Sequence, residues 1–388
     1  MNVISLYFAL WVTVDKGGDD ILYSISLSGS MLAVAVCMPI FGAISDQTGK
    51  RRGPLAILTI ICCIATALIG LVDELITGLL LFFVANYCYQ SSMVFYNGML
   101  PNVSKGHNVG IISGLGVSVG YLGSFTGLLV VKPFVAEGCR KEAFLPTAVM
   151  FLLFSLPCFL FVRDPERRDS NTLDWRKAFL TLKKTLIQTG RYPHLIKFIC
   201  VHFLILDVIN TIIAFMSVYA NKVIGFDDSE ISLFMILATI MAIIGSIAIG
   251  WIVRVRGSRL TYLFVLIIWM ITLFITIISQ NETIFWFIGP LAGIGMGGVW
   301  VVSRSLLIEL CPPWKIGEFF GIYGMAGKMA SIIGPLLWGL TVFFFEERQT
   351  FKYRAAVTVL LILAIIATVV YRSLLNDLQN KKTNPQLG

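Results

Sequence analysis

The sequence predicts an all-α polytopic membrane protein, and three observations carry that prediction. Of the 388 residues, 57% are hydrophobic and 13% are charged, and the mean hydropathy is +0.84. Apolar runs recur along the whole chain, most of them near the roughly 20 residues that one helix needs to cross a hydrocarbon layer. The runs are continuous, whereas membrane β-strands would alternate apolar and polar residues. The basic residues gather in the short segments between the runs.

Twelve apolar runs predict twelve transmembrane helices. The first run has only about 13 residues, fewer than a crossing requires. We therefore expect the chain to begin downstream of the true start of this helix, so that helix 1 is truncated. The predicted spans are 2–14, 21–44, 54–72, 75–96, 109–135, 143–162, 197–220, 229–253, 260–278, 283–308, 318–345 and 355–371.

The basic residues predict the orientation of the spans. Twenty lie in the loops assigned to the inside and eight in the outside segments, which places both termini in the cytoplasm. This arrangement accounts for the net charge of +8 without a nucleic-acid partner. The cysteines lie mostly within apolar runs, have no metal-ligand spacing and are interpreted as small buried hydrophobes, so no metal site is predicted.

The longest connection divides the chain into two halves. It contains "LDWRKAFLTLKKTLIQ", in which Leu173, Leu180 and Ile187 recur every seven residues. This spacing predicts an amphipathic helix on the inner membrane surface. The predicted organisation is a six-helix bundle, an amphipathic linker, a second six-helix bundle and a cytoplasmic tail, at residues 1–162, 163–196, 197–371 and 372–388.

The two halves carry an internal repeat. "GIISGLGVSVGYLGS" (110–124) aligns with "GIYGMAGKMASIIGP" (321–335) at a constant offset, and each copy follows a loop that contains proline. The six glycines of the fifth span are interpreted as packing positions. Parallel duplicated halves are the plan of major facilitator transporters, and the chain resembles them in this respect.

A loop after the second span strengthens the resemblance. "GAISDQTGKRRG" (42–53) is similar to the major facilitator loop signature, with Gln47 where arginine is usual. Gly42 allows close helix packing and Gly49 a tight turn. Asp46 can pair with a basic residue of the loop or cap a helix end. Together with the basic residues of the loop these positions form a predicted gating loop: Gly42, Asp46, Gly49, Lys50 and Arg51.

Longer strings resemble one branch of this superfamily. "FYNGMLPNV", "SGLGVSVGYLGS", "LDVINTI", "GGVWVVSRSLLIELCP" and "GEFFGIYGMAGKMASIIGP" are similar to the vacuolar amino-acid effluxers of fungi and their prokaryotic relatives. The resemblance implies a twelve-helix major facilitator fold. It implies export of neutral amino acids from the vacuole in fungi and no settled substrate in prokaryotes. The corresponding location is the vacuolar membrane of a fungus or the inner membrane of a prokaryote.

Two charged residues lie deep within the spans. Asp207 and Lys328 are each about ten residues from the inner end of their helix, which places both about 15 Å deep. In the major facilitator arrangement helices 7 and 11 are neighbours, so the sequence predicts an Asp207–Lys328 ion pair. Asn210 and Thr211 follow Asp207 by three and four residues and share its helix face.

Further polar residues are candidates for the solute site or the gate. Asn86 and Gln90 belong to a polar stripe on helix 4, which either faces the solute or forms interhelical hydrogen bonds. Trp300 and Arg304 share one face of helix 10. Trp300 is assigned to the solute site, and Arg304 either takes part in gating or snorkels to the membrane surface.

These features predict a monomeric secondary transporter of a small polar solute, most simply a neutral amino acid, working by alternating access. Asp207 would bind an ammonium group or carry a proton, and Lys328 would bind a carboxylate or release Asp207 for protonation. The alternatives are a cation-coupled sugar symporter and a non-transporting scaffold or sensor. No constellation of an enzyme or of a cofactor site is evident.

Overall fold

A computed structural model describes residues 2–18, 20–104, 109–135, 140–164, 192–345, 347 and 350–383. Every regular element in these ranges is helical. The predicted linker helix of residues 163–196 lies almost wholly outside them. The α-helices, numbered α1 to α12, are Asn2–Leu10, Asp20–Thr48, Arg52–Ile69, Leu75–Ser104, Val109–Val135, Phe144–Phe161, Pro193–Tyr219, Asp228–Arg256, Ser258–Ile278, Glu282–Leu310, Ile316–Phe344 and Phe351–Thr383.

The described helices confirm an all-α multi-pass membrane protein. Eleven of them, α2 to α12, are long and apolar enough to cross a membrane. The first, α1, continues only as a π-helical turn, Trp11–Asp15, so it is too short to span. The helices agree with the predicted spans in number and order. The largest differences are at the ends of α4 and α12, which continue eight and twelve residues beyond their predicted spans because their polar ends are helical too.

Local sequence explains several helix ends. α8 begins with a capping box, in which the Glu230 N–H donates to Asp227 Oδ1 at 2.8 Å and the Asp227 N–H donates to Glu230 Oε2 at 2.9 Å. Gly225 and Gly257, with φ of 95° and 81°, stand before and after this helix. Gly49, with φ of 68°, follows the end of α2 and provides the tight turn expected of the loop.

The short α1 is attached by packing and by charges. The Phe8 ring stacks on Phe82 of α4 with 4.4 Å between ring centroids. Asp73 lies just before α4, and its carboxylate accepts hydrogen bonds from the ammonium groups of Lys141 at 2.6 Å and Lys16 at 3.4 Å. These two hydrogen bonds hold the pKa of Asp73 below its ordinary value. A helix too short to span is therefore still integrated into its neighbours.

The chain separates into two compact units that do not follow the two halves of the sequence strictly. The beginning of α5 belongs with the second unit and the beginning of α11 with the first. The first unit contains Met1–Val103, Leu122–Lys184 and Pro313–Met325, and the second contains Ser104–Tyr121, Thr185–Pro312 and Ala326–Gly388.

In the first unit, glycines bring α2 and α11 into backbone contact. A Cβ atom added to Gly317 would lie 2.6 Å from the Gly42 carbonyl oxygen, and one added to Gly321 would lie 2.5 Å from the Met38 carbonyl oxygen. Neither distance is compatible with a side chain. Gly42 therefore has the packing role that was predicted for it, and its partner is the first turn of α11.

In the second unit, α5 and α8 cross in a similar way. A Cβ atom on Gly114 would lie 2.5 Å from the Ser246 carbonyl oxygen, and one on Gly250 would lie 2.7 Å from the Gly110 carbonyl oxygen. Ser118 Oγ donates to the Ile243 carbonyl at 3.0 Å and extends the contact. Gly110 and Gly321, which the internal repeat aligns, thus occupy equivalent crossings.

The second half of α5 departs from the prediction that all its glycines are packing positions. Added Cβ atoms on Gly120 and Gly123 would meet nothing within 4 Å. Both residues are exposed. Close packing therefore accounts for Gly110 and Gly114, at the beginning of the helix, and not for these two.

Gly114→Ala and Gly120→Ala form a matched pair of variants on the same helix. We expect Gly114→Ala to lower the free energy of unfolding by about 1–3 kcal/mol, because its new methyl group collides with the backbone of α8. Gly120→Ala should be neutral or slightly stabilising, because alanine favours the helix and meets open space. Thermal unfolding in detergent compares the two, and equal losses would contradict the assignment.

Candidate functional site

Asp207 of α7 is bound to the backbone of α11. Its side chain is buried, with 1% of the residue exposed, and its Oδ1 accepts the Gly334 N–H at 2.6 Å. Thr211 Oγ1 donates to the Asp207 carbonyl at 2.7 Å. Gly334 can approach this closely only because it has no side chain, since an added Cβ would lie 2.7 Å from the Asp207 carbonyl oxygen. The carboxylate therefore joins two helices through a backbone donor.

The contact between α7 and α11 continues along both helices. Asn210 Nδ2 donates to Ser331 Oγ at 2.9 Å. The Phe215 and Trp338 rings stack in parallel, with centroids 5.0 Å apart. Asp207, Asn210 and Thr211 all face α11, as their spacing on one face of the helix requires.

The predicted ion pair between Asp207 and Lys328 is wrong. Both residues belong to the described part of the chain, and no ion pair there involves either of them; Oδ2 of Asp207 is buried without a hydrogen-bond partner. Lys328 precedes Gly334 by six residues, which corresponds to about 9 Å along α11 and about 120° around it. Position in the sequence predicted the same depth for Asp207 and Lys328, but it cannot resolve a difference of about 9 Å along the helix axis. It also does not specify how each helix is rotated about its axis.

Lys328 instead shares one face of α11 with Ser331, three residues further on, which accepts a hydrogen bond from Asn210 of α7. It is half-buried, Asn210 is half-buried as well, and Ser331 is exposed. We call Asn210, Lys328 and Ser331 the α7–α11 polar surface. It lies near the middle of α11, within a 32-residue stretch with the hydropathy of a membrane span.

Asn86 of the first unit serves helix packing. It is 2% exposed, and its Nδ2 donates to Ser30 Oγ on α2 at 2.7 Å. Ser26 Oγ donates to the Leu79 carbonyl at 2.9 Å and links the same two helices. Of the two alternatives for the polar stripe of helix 4, Asn86 therefore fits the second, in which the stripe forms interhelical hydrogen bonds. Gln90, one turn further along α4, is half-buried.

Asp46 of the predicted gating loop caps the first turn of α11. Its Oδ1 accepts the Gly317 N–H at 2.7 Å, and its Oδ2 accepts the Glu318 N–H at 2.8 Å. The carboxylate thus satisfies two backbone donors that a helix start leaves unpaired, and it lies at the positive end of the helix dipole. Arg51 approaches the same carboxylate at 3.3 Å.

Arg51 is the centre of the basic loop. It is 6% exposed, and its guanidinium donates to Ser45 Oγ at 3.0 Å and to the Gly98 carbonyl. Asp164 Oδ1 accepts the backbone N–H groups of Arg51 and Arg52, each at 2.9 Å. Sequence reasoning missed Asp164, because it lies 113 residues from Arg51 and belongs to no local motif.

Lys50 differs from its neighbour in the same motif. Its side chain is exposed, and its backbone N–H donates to Thr48 Oγ1 at 3.2 Å. The basic residues of the motif therefore fall into two classes. Arg51 is part of a buried network, whereas Lys50 faces away from it.

Arg304 is buried in the second unit, so the snorkelling alternative is wrong. It is 8% exposed, its Nε donates to the Trp300 carbonyl at 3.0 Å, and an Nη donates to the Ser113 carbonyl of α5 at 3.1 Å. Ser113 Oγ donates in return to the Val301 carbonyl at 3.1 Å. The Trp300 ring is half-buried, and the bond to Arg304 uses its backbone oxygen.

Solved structures of other membrane transporters share this fold. A bacterial homologue of the iron transporter ferroportin superposes with a TM-score of 0.74 and 15% identity over 96% of both chains. The human organic anion transporter MFSD10 superposes with a TM-score of 0.71 and 15% identity over 89% of this chain and 82% of that chain. The architecture is therefore that of the major facilitator transporters, as the repeat predicted.

Comparison of sequences leads to the family within that class. The model of the "Vacuole effluxer Atg22 like" family matches residues 20–385, and the chain belongs to this family. The MFS-type transporter YxiO of Bacillus subtilis is 26% identical over 90% of this chain and 82% of its own length. Autophagy-related protein 22 of Kluyveromyces lactis is 25% identical over 91% of this chain and 79% of its own length. The chain is a membrane transporter and not an enzyme.

Adjacent substitutions in the loop test the buried network. Arg51→Ala removes the guanidinium that approaches Asp46, and breaking a buried ion pair in this way costs about 3–5 kcal/mol in soluble proteins. Lys50→Ala removes one exposed charge and should change the free energy of unfolding by less than about 0.5 kcal/mol. Thermal unfolding in detergent is the measurement. Similar losses for the two variants would show that Arg51 has no special role.

Proposed function

We propose that the chain is a secondary active transporter of small polar solutes, specifically of neutral amino acids, and that it works by alternating access. The α7–α11 polar surface is the observation that carries this proposal. Placing an amide, a hydroxyl and an ammonium group at mid-span costs free energy in a lipid environment, and such groups characteristically mark solute pathways. The resemblance to amino-acid effluxers supports this substrate class, and the family description as a vacuole effluxer supports the transport of a solute.

We assign the gating role to the contact of Asp46 with the start of α11. The carboxylate binds backbone N–H groups, so the helix can leave and return without any change of side-chain rotamers on α11. Gly42 contacts Gly317, and Gly321 contacts Met38, through backbone atoms. α2 and α11 can therefore separate here without unlocking interdigitated side chains. Arg51 and Asp164 keep the loop in position while this happens.

We assign proton coupling to Asp207. Its Oδ1 is engaged by Gly334, whereas its Oδ2 is sealed and has no hydrogen-bond partner among the described residues. Oδ2 is therefore the atom that can take up a proton. Gain or loss of that proton alters the charge in the bond to Gly334, and hence the strength with which α7 holds α11.

The proposed orientation places both termini on the cytoplasmic side. It rests on the excess of basic residues in the loops assigned to the inside. For a fungal protein the family description as a vacuole effluxer supports the vacuolar membrane, and for a prokaryotic protein we propose the cell inner membrane.

Counterflow in proteoliposomes tests the function. Vesicles loaded with one unlabelled solute are assayed for uptake of its labelled form, with a panel of neutral amino acids, with melibiose, and with empty vesicles as the blank. We expect exchange of neutral amino acids. Exchange of melibiose that requires sodium would establish the sugar symporter, and absence of exchange for every solute would favour a non-transporting component.

Asp207→Asn tests the coupling role. The amide oxygen that this substitution introduces still accepts the Gly334 N–H, but the amide cannot carry a proton. We therefore expect normal counterflow and loss of accumulation driven by a pH gradient. Glu282→Gln, at the exposed start of α10, is the control and should retain both activities. Full pH-driven accumulation by the Asp207→Asn variant would exclude Asp207 as the coupling group.

A further inference from the structure

Lys328 is a mid-span cation without a partner in the described chain. No hydrogen bond or ion pair of this side chain occurs there, although the residue is half-buried. Among the described residues, ion pairs of the second unit lie near helix ends, as in Lys197 with Asp377 at 2.6 Å and Arg259 with Glu309 at 2.7 Å. An unpaired ammonium at this depth costs about 2.5–3.5 kcal/mol, which calls for a compensating role.

The groups beside Lys328 are suited to an anion. Ser331 lies on the next turn of α11, and its Oγ donates to the Gly327 carbonyl at 3.3 Å. The hydroxyl proton of Ser331 is used in this bond, so Ser331 Oγ acts as an acceptor towards α7. It accepts an N–H of Asn210, and this bond fixes the orientation of the Asn210 amide. The second N–H of Asn210 remains available to a ligand oxygen. An ammonium and an amide N–H on neighbouring helices are complementary to the two oxygens of a carboxylate.

Among the described residues, the mid-span acid of α7 is not available to a ligand ammonium group. Asp207 is the mid-span acid of α7, yet it is 1% exposed and its Oδ1 is occupied by Gly334. Asp207 contacts α11 at Gly334. Gly334 follows Lys328 by six residues, which corresponds to about 9 Å along the axis of α11. A zwitterion bound through Lys328 would therefore not have its amino group recognised by Asp207.

We propose that Lys328, with Asn210, is a carboxylate-binding site, and that its ligand class is small monocarboxylates in general, whether or not they carry an α-amino group. This deepens the proposed function and rests on it only for the assumption that the site lies on a transport route. Neutral amino acids bind to the site through their carboxylate group. The corresponding 2-oxo acids, which carry the same carboxylate, bind equally well. Amides of the same amino acids lack the anion and are rejected.

Matched ligands and variants of the full-length chain test the inference. The probes are L-leucine, 4-methyl-2-oxopentanoate and L-leucinamide, with L-alanine, pyruvate and L-alaninamide as a smaller set. Each is assayed at millimolar concentration for its effect on thermal unfolding and for competition in counterflow. We expect both carboxylates of a set to bind with similar affinity and the amide to have no effect.

Lys328→Met should weaken carboxylate binding by about 10- to 100-fold, as expected for loss of a charge-assisted bond. Lys328→Arg should largely restore it. Removing an unpaired charge should not lower the unfolding temperature of the ligand-free protein, so weak binding by the Met variant cannot be attributed to misfolding. Lys222→Met, at an exposed lysine of the same unit, is the control and should bind like the unchanged chain.

The possible results separate this inference from the proposed function. Binding of the amides, full affinity in Lys328→Met, or no effect of any carboxylate would overturn the carboxylate site. Amino-acid counterflow would stand in the first two of these cases. Exchange of 2-oxo acids without exchange of amino acids, lost in Lys328→Met, would confirm the site and refute amino-acid transport.

Discussion

Two carboxylates hold α11 through backbone N–H groups at or next to glycines, and the polar architecture of the protein depends on this interaction. Asp46 binds Gly317 and Glu318 at the start of the helix, and Asp207 binds Gly334 about five turns later. In both places the absence of a glycine side chain lets the neighbouring helix approach within hydrogen-bond distance. Asp207, which lies deep within a span, needs such a donor because hydrocarbon supplies none.

The duplicated halves keep their packing glycines and differ in their polar residues. Gly110 and Gly321 are aligned and occupy similar crossings, whereas Gly123, the counterpart of Gly334, meets open space. Lys328 stands where the first copy has Val117. The repeat therefore provides a common scaffold, and the second half carries the two mid-span charges to which we assign solute binding and proton coupling.

The predicted gate and the predicted solute site are built on different principles. The gate is a dense network in which Asp46, Arg51 and Asp164 all find partners. The α7–α11 polar surface leaves Lys328 unpaired within the described chain. A transporter needs both arrangements, since a gate must be stable when closed, while a solute site must leave part of its bonding capacity to the solute.

The sequence by itself determined the fold class, the order of the spans, the turn at Gly49 and the family, because each follows from run length, composition or a local motif. Only the tertiary structure decided the partners of the polar residues. Asp207 binds Gly334 and not Lys328, Asn86 binds Ser30, and Arg304 binds the Ser113 carbonyl. Hydropathy and helix rise specify the approximate depth of a residue, but its partner depends on the rotation of each helix, about 100° per residue, and on which neighbour approaches closely enough. That information belongs to the packing of helices distant in sequence.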